Sequence, residues 1–141
     1  MRDLLFRAKR TDNDELIEGN DEWIEGSYVH LNLGRHYIFT GKLDLTQHNY
    51  KGRIGFECFE VNPETVGQYT DVNDSNGTKI FEGDIVDILT ENEERGVITY
   101  ENGGFVVKAS TFVVDFMSNI NGEDVEVLGN IVDNPELLEE E

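Results

Sequence analysis

The chain has 141 residues, 38% of them hydrophobic, and sets 11 Lys and Arg against 30 Asp and Glu for a formal net charge of −19. That length allows one domain or two small lobes, and the apolar share suffices for a packed core. The charge argues against direct binding to nucleic-acid phosphate or an anionic membrane, since both rest on Lys and Arg neutralising fixed negative charge.

Thirteen Val, ten Ile, nine Thr, eight Phe and five Tyr stand against two Ala. β-Branched and aromatic side chains suit a pleated surface, and Ala is the best helix former, so the composition predicts a mostly β fold. Leu4 to Lys9 reads as a short strand, and Arg10 to Asp14 as a turn cluster. Leu16-Ile17 is a small apolar group before the turn residues Gly19-Asn20-Asp21. From Trp23 the alternation is clear: Val29, Leu31 and Leu33 fall on one face, Tyr28, His30 and Asn32 on the other. Tyr37-Ile38-Phe39 follows, then a weakly patterned stretch from Lys42 to Gly52. Ile54, Phe56 and Cys58 alternate with Gly55, Glu57 and Phe59, and Pro63 marks the exit from that strand by removing a ladder donor and biasing Asn62 to extended geometry.

The second half is more regular. Asp71 to Gly77 is a turn-rich loop, with Asn76-Gly77 the strongest hairpin signal in the chain. Ile80-Phe81 and Ile85 to Leu89 are apolar, separated by Glu82-Gly83-Asp84. Glu91 to Glu94 form a charged turn, Gly96 to Tyr100 a strand, and Asn102-Gly103-Gly104 a tight turn into Phe105 to Lys108. Thr111 to Met117 and Val125 to Ile131 are joined by Asn121-Gly122. Five short strands in about 50 residues predict a small barrel. Asn134 and Pro135 fit the N-cap and first position of a last helical turn through Leu138.

Residues 1–61 then form an N-terminal β region, and residues 62–141 a connector, the barrel and the helical turn. The acidity divides unevenly between them. Residues 1–61 hold 8 basic and 11 acidic residues, net −3, whereas residues 62–141 hold 3 basic and 19 acidic, net −16. An acidic partner would therefore meet the first part.

One cysteine, Cys58, excludes an intrachain disulfide and a Cys-based zinc site and fits a reducing cytoplasm. No signal-peptide core and no membrane-spanning apolar run is present. Candidate chemistry is sparse. Asp71, Asn73, Ser75 and Glu82 match the spacing of a calcium loop, but the required central glycine falls on Asn76, so a plain turn is the better reading. His30, His36 and His48 show no short ligand spacing and predict no preformed metal site. Cys58 in an apolar strand reads as a buried, inert thiol. Pairs such as Asp84 and Asp87 are unavoidable among so many acids, and Gly83, Gly103 and Gly104 lack the strand–turn–helix setting of a phosphate loop. Trp23 reads as core. No catalytic, metal or cofactor site is expected.

The stretch Val61-Asn62-Pro63-Glu64-Thr65-Val66-Gly67-Gln68-Tyr69-Thr70, followed by Asn73-Asp74-Ser75-Asn76-Gly77-Thr78-Lys79-Ile80-Phe81-Glu82-Gly83-Asp84-Ile85-Val86, resembles the YopX family of small bacteriophage and prophage proteins. Phe6-Arg7-Ala8, Gly96-Val97-Ile98, Gly104-Phe105, Gly129-Asn130-Ile131 and Asn134-Pro135-Glu136-Leu137 extend the resemblance over nearly the whole chain. Asp71 departs from it, because the family more often has Gly after the Gln-Tyr-Thr triplet. The resemblance implies an SH3-type barrel in the C-terminal part and a bacterial host cytoplasm, but no reaction.

Gln68, Tyr69, Thr70, Asn76, Gly77, Glu82, Gly83 and Asp84 form the candidate interaction surface. Read structurally, Tyr69 packs the connector onto the barrel and Gly83 frees the backbone at a turn. Read functionally, these loops edge a groove on a rigid scaffold. The leading expectation is a non-enzymatic accessory module that binds a host or phage protein. The alternatives are an acidic nucleic-acid mimic blocking a DNA-binding protein and a metal-dependent or catalytic domain. Exposed strand edges leave homo-oligomerisation open.

Overall fold

Period-two alternation organises this chain. The computed structural model describes residues 4–11, 23–32, 34–44, 55–89, 94–109, 113–115 and 121–138. Within them lie β1 (Phe6–Lys9), β2 (Trp23–Leu31), β3 (Arg35–Asp44), β4 (Gly55–Glu60), β5 (Gly67–Asn73), β6 (Lys79–Phe81), β7 (Asp84–Ile88), β8 (Glu94–Glu101), β9 (Gly104–Ala109), β10 (Val113–Asp115) and β11 (Val125–Asn130). Short 3-10 turns at Pro63–Thr65, Gly122–Asp124 and Pro135–Leu138 complete the described elements. The fold is mostly β, and its strands pair antiparallel in two sheets. No helix among the described residues is long and apolar enough to cross a membrane. The readings at Leu16-Ile17, Gly19-Asn20-Asp21 and His48 fall outside the described residues.

The chain divides into two units, Met1–Gln68 and Tyr69–Glu141. In the first, the strands run β4-β3-β2-β1, with the start of β5 beside β1. Cross-strand register puts Ala8 opposite Ile24, Tyr28 opposite Ile38, and Ile38 opposite Phe59. Those residues share one face, and Ala8, Ile24, Ile38 and Val61 form its buried core with Phe6, Tyr28, Phe59 and Val66 against it. The buried face of β2 is thus the Ile24 and Tyr28 face, while Leu31 is 48% exposed. Alternation also turns Cys58 away from the core, opposite Phe39, and its thiol is exposed rather than buried. Gly26 is required where the β2 and β3 backbones converge, because a Cβ there would fall on the Phe39 carbonyl oxygen.

In the second unit a five-stranded sheet has the order β10-β9-β8-β7-β11. Val125 opposes Ile88, Val127 opposes Val86, and Ile98 opposes Val107, so one face is continuously apolar. Val86, Ile88, Ile98, Phe105, Val107 and Val125 form the core of this unit. Ile80 from β6 joins that core, with Val72 of β5 packed against it. Cover from β5 and β6 does what curling the sheet on itself would do. Among the described residues β10 and β11 do not pair, and the barrel is not closed. Asn102 and Gly103, with φ of 53° and 84°, make the tight β8–β9 turn expected of them. The last helical turn also forms, but the Asn134 side chain does not cap it. Its Oδ1 instead accepts from the Asn130 amide at 3.3 Å.

Candidate functional site

The central motif builds a scaffold in the second unit. Gln68, in the first unit, pairs with Phe6 of β1. Tyr69 is half-buried, its ring 5.4 Å from that of Phe81, and its hydroxyl donates to Asn73. Between the pairs Tyr69–Phe81 and Asn73–Lys79, β5 carries more residues than β6, which makes a bulge. Asp71 sits in it with φ of 67°. That left-handed backbone is where a glycine is easiest, and Asp tolerates it better than most residues.

Thr70 repairs the ladder that the bulge interrupts. Its hydroxyl is wholly buried, donates to the Ile80 carbonyl at 2.8 Å, and accepts from the Val72 amide at 3.2 Å. Asp74 closes the loop beyond it. One carboxylate oxygen accepts from the amides of Asn76 at 2.9 Å and Thr78 at 2.8 Å, and the other accepts from Val127 at 2.9 Å. Burial favours the neutral acid, but the amides of Val127, Thr78 and Asn76 together outweigh it and hold the Asp74 pKa below the usual aspartate value. Amide donors converging on a carboxylate are the inverse of a cation site, so the loop from Asp71 is a turn and not a calcium cradle. Asn76 and Gly77 remain exposed at its tip.

Glu82 and Gly83 make the next turn, with Gly83 at φ of 91°. The Gly83 amide donates to the Ile98 carbonyl at 2.8 Å, and its carbonyl accepts from Ile131 at 2.9 Å. Asp84 is 1% exposed and accepts the Phe81 amide at 2.8 Å. Thr70, Asp74 and Asp84 therefore hold backbone in place, and the surface part of the predicted set reduces to Asn76 and Gly77 with the half-buried Gln68, Tyr69, Glu82 and Gly83.

The first unit offers a second surface, built from residues outside the predicted interaction set. Residues that alternate away from its core put Arg7, Lys9, Trp23, Val29, Leu31, Tyr37, Phe39 and Cys58 on the opposite face. Trp23 is half-buried and lies outside the core cluster. The Arg7 guanidinium carbon stands 4.7 Å from the Trp23 ring centroid and Lys9 Nζ 5.6 Å, both within cation–π range. Leu31 at 48% and Phe39 at 37% are large apolar side chains in contact with water. The signal for this face was present in the alternation. What the alternation could not say was which of two apolar-bearing faces the neighbouring strands would cover.

On the core face, at the β2–β3 end, the register brings His30 opposite His36. No group of three or more His, Cys, Asp or Glu placed to hold a metal ion occurs among the described residues.

Residues 5–139 match the family model described as YopX protein. A crystal structure of protein EF1440 from Enterococcus faecalis is similar to this chain, with 27% sequence identity and a TM-score of 0.57 over 96% of this chain and 97% of that one. No curated protein matches. With the match running through both units and the whole central motif, this chain belongs to the YopX family.

Proposed function

We propose that the chain is a small accessory protein of phage or prophage type that acts by binding another protein, without catalysing a reaction, and that it does so through the solvent face of β1 to β4. The observation that carries this reading is Trp23 flanked by Arg7 and Lys9 on a face shared with exposed Leu31 and Phe39. Trp, Tyr and Arg dominate binding energy at protein interfaces, and Trp23 with Arg7 beside it supplies two of these side chains on one face. The same face carries both signs of charge, with Glu25 opposite Arg7 and Glu60 opposite Tyr37, so aromatic and apolar contact at Trp23 and Phe39 is what the partner is expected to supply.

We read the second unit as an open relative of the SH3-type barrel. Its support is the connectivity: a meander from β7 to β10, a 3-10 turn, and a last strand returning beside β7. The single cysteine supports a reducing cytoplasmic setting. The nucleic-acid mimic is the second reading, and its support is the net charge of −16 over residues 62–141, of whose 19 acids only Asp74 and Asp84 are buried among the described residues.

Capture from bacterial host lysate at moderate salt tests the proposal, comparing the native chain with a Trp23→Ala, Phe39→Ser double variant of unchanged circular dichroism. A saturable partner held by the native chain and lost by the variant is the expected result. Equal capture by both chains, or none that saturates, would overturn it.

A further inference from the structure

His30 and His36 face each other directly across the β2–β3 pairing. Their ring centroids are 4.2 Å apart with planes 14° from parallel. The Tyr28 ring lies beside His36, with centroids 5.8 Å apart and planes 3° from parallel, and Tyr28 itself packs on Phe6. The Tyr28 hydroxyl is 2.5 Å from His36 Nδ1. His36 is half-buried and His30 exposed, so one imidazole is held and the other is accessible.

We propose that this cross-strand pair chelates one divalent transition-metal ion of the imidazole-seeking class, Cu²⁺ or Zn²⁺. Directly opposed residues on an antiparallel pair have Cβ atoms about 5 Å apart, which lets two imidazoles reach one ion. Metal-bound histidines characteristically have the second ring nitrogen fixed by a hydrogen bond, and Tyr28 supplies that bond here. In the bound state His36 Nδ1–H donates to the Tyr28 oxygen, and Nε2 turns its lone pair to the ion. Stacked rings hold their nitrogens too far apart for two bonds of about 2.0–2.1 Å to a common centre, so the His30 ring tilts toward His36 on binding. Its exposure permits that rotation. Water fills the remaining coordination positions. The preference follows ligand softness, because imidazole suits Cu²⁺ and Zn²⁺ whereas the many carboxylates of this chain suit Mg²⁺ and Ca²⁺.

The test is titration of the full chain with Cu²⁺ and with Zn²⁺ by calorimetry in a weakly coordinating buffer, alongside electron paramagnetic resonance of the Cu²⁺ form. One ion per chain binds more tightly than Mg²⁺, and the Cu²⁺ spectrum carries imidazole nitrogen hyperfine structure. His30→Gln, at an exposed position that leaves folding intact, weakens the site at least tenfold, and a His30→Gln, His36→Gln double variant abolishes it. Tyr28→Phe keeps the ligands and loses the orienting bond, which weakens binding by about tenfold. Unchanged affinity and spectrum in the double variant would overturn the proposal, as would binding no tighter than that of Mg²⁺.

Discussion

Asp74 Oδ2 accepts the amide hydrogen of Val127, 53 residues further along the chain, at 2.9 Å. Val127 is where the β11–β7 register shifts, so its amide needs a partner other than the regular ladder, and the carboxylate provides one. Replacing the carboxylate by an amide leaves one acceptor and points a donor at backbone donors. Asp74→Asn lowers unfolding stability by about 1–3 kcal/mol. Urea denaturation checks this as a shift in midpoint with an unchanged slope.

The same residue sets a pH dependence. Its folded pKa lies below the unfolded value of about 3.9. Its contribution is therefore complete above that unfolded value and is lost as pH falls through the lower folded value. The native chain loses stability through this acid window more steeply than Asp74→Asn does. Denaturation midpoints measured from pH 6 down to pH 3 distinguish the two slopes.

Thr70 and Ile80 give a second test, because the Thr70 hydroxyl is buried and bonded on both sides of the bulge. Thr70→Val removes the hydroxyl, strands the Ile80 carbonyl and Val72 amide, and costs about 1–3 kcal/mol. Thr70→Ser keeps both bonds and costs about 1 kcal/mol for the lost methyl. The order of midpoints, native above Ser above Val, is the measurement.

Two backbone positions carry steric predictions. Asp71 adopts φ of 67°, so Asp71→Val costs about 1–2 kcal/mol while Asp71→Gly is tolerated. Gly26→Ala drives a methyl onto the Phe39 carbonyl and costs about 1–3 kcal/mol. Amide exchange then rises across β2 and β3 before it rises in the second unit.

Cys58 provides a chemical check on which face of the first sheet meets solvent. Its thiol is exposed beside Phe39. A maleimide labels it stoichiometrically in the folded protein, without denaturant, in mass spectrometry. A thiol that reacts only after unfolding would place it in the core.

Much of this architecture was legible residue by residue. Period-two alternation located most of the strands but not β5, whose Gly67–Asn73 reads in sequence as connector and loop; Asn102-Gly103 and Asn76-Gly77 marked turns, and Pro63 the exit from β4, because these features depend on sterics within a few residues. The β class followed from composition for the same local reason. Tertiary structure decided the rest. Val29 and Leu31 look like a core face in isolation, yet pairing with Ala8 and Ile38 buries the face of Ile24 and Tyr28, and it turns Trp23 and Cys58 outward. Cover from Ile80 and Val72 leaves the second sheet open. The contacts that give Asp74 and the His30–His36 pair their chemistry come from register, which joins residues by strand pairing and not by their order in the chain.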